Sequence, residues 1–237
     1  MNIAIIGYGK MGKTIEGIAR ERGHNIVYAS NDSLTSASVI KTADVAIEFT
    51  QPDAAVDNIL VCAEAGVPVV CGTTGWLDRW DIVTREVKKM HGTLFYASNF
   101  SLGVNLFFKL NKQLAALMAT HDAYAARMTE IHHVHKKDAP SGTAITLAEG
   151  LIENHPVYSK WHLGEDDQTG SLPIKDIREG EVPGTHSIRY TSNQDAIEIT
   201  HEAFGREGFA LGAVIAAEWL PGQFGIVGMD DLLDTHK

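Results

Sequence analysis

The sequence has few cysteines, a deficit of positive charge and no long apolar run, and each shortage excludes a class of protein. Its only cysteines, Cys62 and Cys71, fit neither a CxxC motif nor a zinc-binding spacing, which predicts a reduced, cytoplasmic protein. Because 30 Asp and Glu outnumber 20 Lys and Arg, the formal net charge is −10, and we expect no nucleic-acid partner. No stretch approaches the ~20 apolar residues of a membrane span, so we expect no membrane partner.

The N-terminal segment, MNIAIIGYGK, lacks a basic start and interrupts its apolar run with glycines, which argues against a signal peptide. The remaining composition, 44% hydrophobic and 21% charged, is that of an ordinary globular protein. The 237 residues are enough for one large domain or two modest ones. Composition therefore bounds the class of protein but not its chemistry.

The first 102 residues alternate short apolar runs with helical patterns. The alternation predicts a parallel sheet covered by helices on both faces, the doubly wound α/β arrangement. The expected strands are 2–6, 25–29, 44–49, 68–71 and 94–97, and the expected helices are about 12–22, 52–66 and 78–90.

The turn after the first expected strand reads GYGKMG and fits the dinucleotide-binding fingerprint. Gly7 permits a tight turn, Gly9 lets a pyrophosphate approach the backbone, and Gly12 lets the helix pack closely on the sheet. The pyrophosphate would then meet the amides and the positive dipole of a helix N-terminus. Asp32 follows the second strand, about 20 residues downstream, where an acid binds the adenine ribose.

The same turn also spells GxxxxGKT, with Lys13 and Thr14 at its end, which is the phosphate-binding loop of nucleotide hydrolases. A hydrolase needs a later strand that ends in a magnesium-binding Asp, and the nearest candidate is Glu48 in VAIEF. Because more strand follows Glu48, the dinucleotide interpretation is favoured. A glycine turn that serves only packing is the third interpretation.

Two further loops, CGTTGW and ASNFSLG, follow later strands, and ligands bind at the carboxyl ends of strands in open parallel sheets. Small and hydroxyl side chains there can approach and hydrogen-bond a ribose or a nicotinamide amide. Taken singly, each loop also suits a plain turn or a helix cap. The candidate cofactor contacts are Gly72, Thr73, Thr74, Ala97, Ser98, Asn99 and Phe100.

The middle of the chain has a different pattern. Helical spacing without internal Gly or Pro predicts one long helix over 104–119. Strands are expected at 123–134, 185–190 and 196–202, which indicates an antiparallel or mixed sheet with one helical layer. The stretch 156–184 contains three prolines and several glycines, and we expect a long functional loop there.

The expected strand at 123–134 leads into TEIHHVHKKDAPSGTA, the most chemically loaded segment of the sequence. His132 and His133 are adjacent, so in a strand they face opposite ways and can have different roles. Lys136 and Lys137 add positive charge just beyond them. A solvated basic strand end is the plain alternative.

The same segment predicts an anion site. Ser141 is a good helix N-cap, and the amides of Gly142 and Thr143 would open the helix that follows. Basic side chains beside a helix N-terminus predict a substrate that carries carboxylates. We expect no metal, because adjacent histidines on a strand point apart and no acidic or Cys cluster completes a tetrahedral set.

These motifs together resemble the 4-hydroxy-tetrahydrodipicolinate reductase family, also called dihydrodipicolinate reductase, of lysine and diaminopimelate biosynthesis. The resemblance is carried, in the family's order, by GYGKMG, CGTTG, ASNFSLGVN, EIHHVHKKDAPSGTA and EITHEAFGREGFALGAV. It implies a Rossmann-like dinucleotide-binding domain of residues 1–102 plus 206–237. An inserted α+β domain of residues 103–205 would bind the substrate and form a homotetramer. The C-terminal helix, expected at about 206–220, would complete the first domain.

The resemblance also implies the chemistry. NADH or NADPH would reduce a cyclic imine dicarboxylate, 4-hydroxy-tetrahydrodipicolinate, to tetrahydrodipicolinate. His132 matches the general acid/base and Lys136 a second acid. The residues that match carboxylate contacts are His133, Ser141, Gly142 and Thr143, and those that match cofactor contacts are Gly7, Tyr8, Gly9, Lys10, Met11, Gly12 and the two later loops.

Two questions stay open at this point. Asn31, Asp32 and Ser33 include no arginine for the extra phosphate of NADPH, so our hypothesis is that NADH is used at least as well, although Lys10 or Lys13 offers charge nearby. A non-catalytic dinucleotide sensor is the third functional hypothesis, after the reductase and the hydrolase. The intact His132, Lys136 and SGT set argues against the sensor.

Overall fold

The computed structural model describes residues 1–34 and 36–234. Its contacts divide the chain into two compact units: Met1–Leu102 with the residues from Glu207 onward, and Gly103–Arg206. Within the described residues, no helix has both the length and the apolar character needed to span a membrane.

The elements follow one another in two blocks. The strands are β1 (Asn2–Ile6), β2 (Asn25–Ser30), β3 (Val45–Glu48), β4 (Val69–Cys71), β5 (Thr93–Tyr96), β6 (Ala125–His132), β7 (Lys160–Leu163), β8 (Ser171–Arg178), β9 (Gly184–Thr191), β10 (Ala196–Ala203) and β11 (Gly225–Val227). The helices are α1 (Lys10–Glu21), α2 (Pro52–Ala65), α3 (Trp80–Lys89), α4 (Leu102–Met118), α5 (Gly142–Asn154), α6 (Glu207–Trp219) and α7 (Met229–Asp234).

The first unit is built on a six-stranded parallel sheet in the order β2-β1-β3-β4-β5-β11. Alternate residues of the strands enter two separate cores: Ile3 and Ile5 pack with α1, α6 and α7, while Ala4 and Ile6 pack with α2 and α3. The predicted fold class, a doubly wound parallel sheet with an α+β insertion, is confirmed. The order of the sheet reverses at β1, so ligands are expected outside the carboxyl ends of β1 and β3.

The second unit has a five-stranded mixed sheet in the order β10-β9-β6-β8-β7. The pairs of β9 with β6 and β10 are antiparallel, whereas β8 runs parallel to β6 and β7. Helices α4 and α5 bury its core, in which Phe107, Leu147 and Leu151 pack on Met128 and Ile188. The predicted mixed sheet with one helical layer agrees with this arrangement.

The prediction of a loop over 156–184 is wrong. The segment contains β7 and all of β8, a central strand of the second sheet. The strand β8 was not predicted because it contains Pro173, and proline normally argues against a central strand. Here the pairing of β8 with β6 begins at Ile174, so Pro173 faces only the edge strand β7. The short elements β11 and α7 were also not predicted.

Candidate functional site

The glycine turn joins β1 to α1 through a very close backbone approach. Gly7 has a φ of +96°, a conformation that L side chains rarely adopt, and its N–H donates to the Ser30 carbonyl at 2.8 Å. A Cβ on Gly7 would lie 2.1 Å from the Phe49 carbonyl oxygen, and one on Gly12 would lie 2.2 Å from the Gly7 oxygen. These two glycines are therefore required by packing alone.

Gly9 differs from its neighbours because packing does not require it. A Cβ there would meet no atom within 4 Å, and Gly9 is exposed at the N-cap of α1. Helix N-termini leave N–H groups without intrahelical acceptors, and these suit a phosphate. A glycine kept where no protein atom needs the space fits the approach of a pyrophosphate. The side chain of Lys10 is exposed beside it, and that of Met11 is half-buried.

Tyr8 lies inside the same turn and is half-buried. Its hydroxyl donates to the Glu16 carboxylate, and the Lys13 ammonium lies 5.9 Å from the centre of its ring. The tyrosine thus links the turn to the exposed side of α1.

The alternative phosphate-binding loop does not fit this geometry. Only residues 7–9 separate β1 from α1, so Lys13 and Thr14 already belong to the helix, where the Thr14 hydroxyl donates to the Lys10 carbonyl at 3.1 Å. Glu48, the proposed magnesium-side acid, is fully buried. Its carboxylate accepts the Thr50 hydroxyl and, at 3.1 Å, the Thr50 N–H, so it serves the structure of the loop.

Glu48 organises the loops at the carboxyl edge of the parallel sheet. The Cys71 thiol donates to it at 3.2 Å, and the Asn58 amide lies 3.4 Å away. The Thr73 hydroxyl accepts the Thr50 N–H at 2.8 Å, which ties the loop after β3 to the loop after β4. Gly72 packs against the Phe49 ring, and Thr74 is exposed. The CGTTG loop is therefore held by buried polar contacts.

The ASNF loop after β5 separates into two kinds of residue. Ala97 and Phe100 are buried in the core, with the Phe100 ring centre 5.5 Å from that of Phe49. Ser98 is exposed, and the Asn99 side chain accepts the Ser101 N–H at 2.9 Å. Direct side-chain contact with a ligand is open to Ser98, whereas Ala97, Asn99 and Phe100 support the loop.

Asp32 is exposed two residues after the end of β2. Its N–H donates to the Ser30 hydroxyl at 2.9 Å, and that hydroxyl donates back to its carboxylate at 3.2 Å. The neighbouring Asn31 and Ser33 are exposed as well. The carboxylate is thus oriented by the chain and accessible to a ribose.

In the second unit, β6 ends on His132, whose side chain is 6% exposed, and His133 follows it half-buried. The two neighbours therefore differ in environment, as their adjacency predicts. Lys136 lies in the loop beyond, and its ammonium donates to both carboxylate oxygens of Asp138, at 2.9 and 3.0 Å. Arg178, which pairs with His132 in the sheet, donates to the Asp138 carbonyl at 2.7 Å.

Ser141 is the N-cap of α5, as the sequence predicts. Its hydroxyl accepts the Ala144 N–H at 3.1 Å, and its own N–H donates to Glu130 at 2.9 Å. Helix geometry leaves the N–H groups of Gly142 and Thr143 without intrahelical acceptors. Gly142 is exposed and Thr143 half-exposed, so these two amides are available to an anion.

Glu130 and His186 belong to this site and were missed by sequence reasoning. Glu130 is fully buried, with Oε2 3.5 Å from Nδ1 of His132 and 3.6 Å from Nε2 of His186. The same His186 nitrogen lies 3.1 Å from the Ser141 hydroxyl. The period-2 pattern of β6 carried a signal for Glu130, because Met128, Glu130 and His132 share the buried face.

The charges of this cluster are set by burial and hydrogen bonding. Burial, together with the charges of His186, Lys136 and Arg178, lowers the pKa of His132 to about 4, although Glu130 opposes them. Burial raises the pKa of Glu130, but the contact with His186 and the hydrogen bonds from Ser141 outweigh it and hold that pKa at about 2. At neutral pH a neutral imidazole therefore lies against an ionised carboxylate.

Glu130, His132 and His186 also offer ligand atoms within 4.8 Å of one another, as a metal site would. The hydrogen bonds that Ser141 makes with Glu130 and with His186 account for the buried carboxylate and the buried hydroxyl. These bonds leave only Nδ1 of His132 without a partner among the ligand atoms of the described cluster, and we assign no ion to it.

Comparison with known proteins identifies the family. A model of the N-terminus of dihydrodipicolinate reductase matches residues 1–100, and a model of its C-terminus matches residues 103–233. The chain belongs to the dihydrodipicolinate reductase family. The 4-hydroxy-tetrahydrodipicolinate reductase of Christiangramia forsetii is 49% identical over 234 residues, 98% of each chain. That of Desulfovibrio desulfuricans is 36% identical over 250 aligned positions, covering 93% of this chain and 94% of its own.

The fold agrees with this family. A dipicolinate-bound dihydrodipicolinate reductase from Paenisporosarcina sp. TG-14 superposes with a TM-score of 0.77 at 22% identity, covering 96% of this chain and 97% of its own. The prediction of a reductase with a nicotinamide cofactor is confirmed by membership of the dihydrodipicolinate reductase family. The hypotheses of a nucleotide hydrolase and of a non-catalytic sensor are therefore set aside.

Proposed function

We propose that this chain reduces 4-hydroxy-tetrahydrodipicolinate to tetrahydrodipicolinate at the expense of NADH or NADPH, and that the named site residues carry the reaction. The observation that carries the proposal is the second unit's cluster: a buried histidine, an ammonium held by Asp138 and two available amides at the start of α5. Such a set binds a carboxylate and delivers a proton. Residues 1–102 plus 206–237 are proposed to hold the cofactor, and 103–205 the substrate.

The proposed roles follow from the chemistry. When bound, the reduced nicotinamide supplies a hydride. Loss of the 4-hydroxyl group as water gives the conjugated C=N system of dihydrodipicolinate. Addition of hydride to that system leaves an electron pair on the substrate, and this pair accepts a proton from a positioned acid. The amides of Gly142 and Thr143 hold a carboxylate, and His133 is proposed as a further carboxylate contact. A dianion next to His132 favours its imidazolium form, so substrate binding raises the low pKa of that residue.

The first unit suits the dinucleotide. The amides at the start of α1 face the open position at Gly9, where the pyrophosphate would lie, and Asp32 is oriented for the ribose. Lys10 and Met11 begin α1, which follows β1, whereas Thr74 and Ser98 lie in the loops after β4 and β5 of the same sheet. Hydroxyl and amide groups in these loops are proposed to position the nicotinamide.

The proposal is tested by following oxidation of NADH and NADPH in the presence of freshly generated product of dihydrodipicolinate synthase. We expect oxidation that depends on both the synthase product and the chain. Failure of both cofactors to react under these conditions would overturn the proposed activity.

The same assay tests cofactor preference. We predict that kcat/KM for NADH is at least equal to that for NADPH, because Asp32 repels a 2′-phosphate and Asn31 and Ser33 supply no positive charge to receive one. A clear preference for NADPH would show that Lys10 or Lys13 supplies the missing charge.

Gly9→Ala separates cofactor binding from packing. The added methyl meets no protein atom within 4 Å, and the φ of −78° suits alanine, so we expect the free energy of unfolding to change by less than about 1 kcal/mol. The methyl occupies the proposed pyrophosphate position, and we expect the KM for NADH to rise about tenfold or more. An unchanged KM would mean that the glycine turn serves packing only.

We also propose a cytoplasmic homotetramer assembled through the second sheet. The residues of β10 are exposed or half-buried throughout, which leaves this edge strand available for contact with another copy. Light scattering should give about four times the chain mass of 25.8 kDa. A monomeric mass at assay concentration would rule out the tetramer.

A further inference from the structure

A single buried carboxylate contacts both halves of the proposed substrate site. Glu130 accepts the Ser141 N–H with both oxygens, at 2.9 and 3.2 Å, and Oε2 lies 3.5 Å from Nδ1 of His132. It has no solvent exposure. Burying a carboxylate costs several kcal/mol unless hydrogen bonds and nearby charges compensate for its lost hydration. A fully buried carboxylate beside an acid/base histidine therefore indicates a specific role.

We propose that Glu130 is a positioning residue that couples the anion-binding start of α5 to the protonation of His132. The inference rests on the acid/base role of His132 proposed above. Oε1 accepts the shorter of the two bonds from the Ser141 N–H, at 2.9 Å, and so fixes Ser141 and through it the direction of the Gly142 and Thr143 amides. The other oxygen faces Nδ1 of His132 and stabilises the imidazolium when that ring takes up a proton.

The unsatisfied state of His132 supports this coupling. Its Nδ1 is buried, and within the described residues it has no hydrogen-bond partner at normal geometry. A separation of 3.5 Å from Glu130 is too long for a good bond but close enough to shorten when the ring becomes cationic. Catalytic hydrogen bonds are often long in the unliganded enzyme and tighten with substrate bound.

His186 completes the arrangement from the neighbouring strand. Its Nε2 is 3.1 Å from the Ser141 hydroxyl and 3.6 Å from Glu130, and its ring centre is 5.1 Å from that of His132. The side chain is 5% exposed. His186 therefore contacts both the cap residue of α5 and the carboxylate that accepts its N–H.

Other charged groups face the cluster from each packed element. Asp176 and Arg178 of β8 pair in the sheet with Glu130 and His132, His201 of β10 pairs with His186, and Lys136 lies in the loop after β6. Lys136 and Arg178 disfavour the imidazolium of His132. Glu130 is the group that opposes them, because its negative charge favours the protonated ring.

Glu130→Gln tests the coupling, because Gln keeps an oxygen that accepts the Ser141 N–H but loses the charge. We expect kcat to fall at least about tenfold while the KM for the imine substrate stays within about threefold. We also expect the alkaline limb of the kcat–pH profile to move to lower pH by about one unit, since the imidazolium has lost its counter-charge. A merely structural role would lower the melting temperature without moving this limb.

Glu130→Asp makes the converse change. It keeps the charge but shortens the side chain. The alkaline limb of the pH profile should therefore stay near its wild-type position. The KM should rise, because the shorter carboxylate lies further from the Ser141 N–H. Glu149→Gln, an exposed change on α5, is the matched control and should behave as wild type. If Glu130→Gln fails to fold, Glu130→Asp decides the matter, and a wild-type KM in that variant overturns the proposal.

Failure of the proposed coupling can be distinguished from failure of the proposed activity. If the wild-type chain oxidises neither cofactor, the proposed function fails. If the wild type is active and Glu130→Gln keeps its kcat and its pH limb, only the coupling fails. All assays are repeated with EDTA. An unchanged rate is expected, and a loss of rate would replace the hydrogen-bonded arrangement with a metal site at Glu130, His132 and His186.

Discussion

His132→Ala is expected to lower kcat by about 10² to 10⁴-fold, the range lost when a positioned general acid/base is removed. The side chain is 6% exposed at the end of β6 and lies against an ionised carboxylate, so solvent does not readily replace it as a proton donor. The measurement is steady-state oxidation of NADH with the synthase-generated substrate, together with a melting curve.

His135→Ala is the matched control for this change. His135 lies three residues further on, with a side chain that is 75% exposed and 3.3 Å from the exposed carboxylate of Glu181. Its removal should leave kcat unchanged. A His132→Ala variant that folds and keeps full rate would transfer the acid/base role to Lys136, the other proton donor of the segment.

Gly12→Ala is expected to lower the free energy of unfolding of the first unit by about 2 to 3 kcal/mol, the cost of overpacking a tight contact. The new Cβ would lie 2.2 Å from the Gly7 carbonyl oxygen and 3.1 Å from its carbon, and both are backbone atoms that cannot rotate away. Helix α1 would have to move off the strand-to-helix turn.

Gly17→Ala, in the same helix, supplies the control. Its Cβ would meet no atom within 4 Å, so helix propensity should raise the stability by up to about 1 kcal/mol. Urea unfolding followed by tryptophan fluorescence suits both variants, because Trp76, Trp80 and Trp219 lie in the first unit and only Trp161 lies in the second. Equal stability of the two variants would contradict the close packing of α1.

The parallel sheet was accessible from sequence because its strands are buried on both faces. Continuous apolar runs such as 2–6 bounded by glycine turns have few other interpretations, and β1 matches its prediction residue for residue. Helix α1 begins at Lys10, two residues before the expected start. The reason is that Gly9 caps the helix through its backbone alone, without a side-chain hydrogen bond.

The second sheet was harder to predict because its central strand β8 can be recognised only from its pairing with β6 and β7. Pro173 and the flanking glycines dominate the local pattern, while the pairing with β6 that makes β8 a strand joins residues more than 40 positions apart. Strand β11 has only three residues and is defined by its pairing with β5. Such elements carry no periodicity of their own to detect.

The candidate site shows the same division. His132, Lys136 and Ser141 fall in one dense segment, so local spacing pointed to them. Glu130 is recognised as a site residue by its burial. His186 lies 54 positions further along the chain than His132 and reaches the site because it pairs with Glu130 in the sheet. The sequence around His132 gives no indication of that pairing. Alternation along β6 would have singled out Glu130, a carboxylate on the apolar face.

All the proposed roles depend on the transfer of a hydride from a reduced nicotinamide to the cyclic imine. The most direct measurement uses NADH deuterated at both C4 positions with the synthase-generated substrate, followed by mass spectrometry of the product. We expect tetrahydrodipicolinate that is one mass unit heavier than the product formed with unlabelled NADH. A product without deuterium, or none formed while NADH is intact, would contradict it.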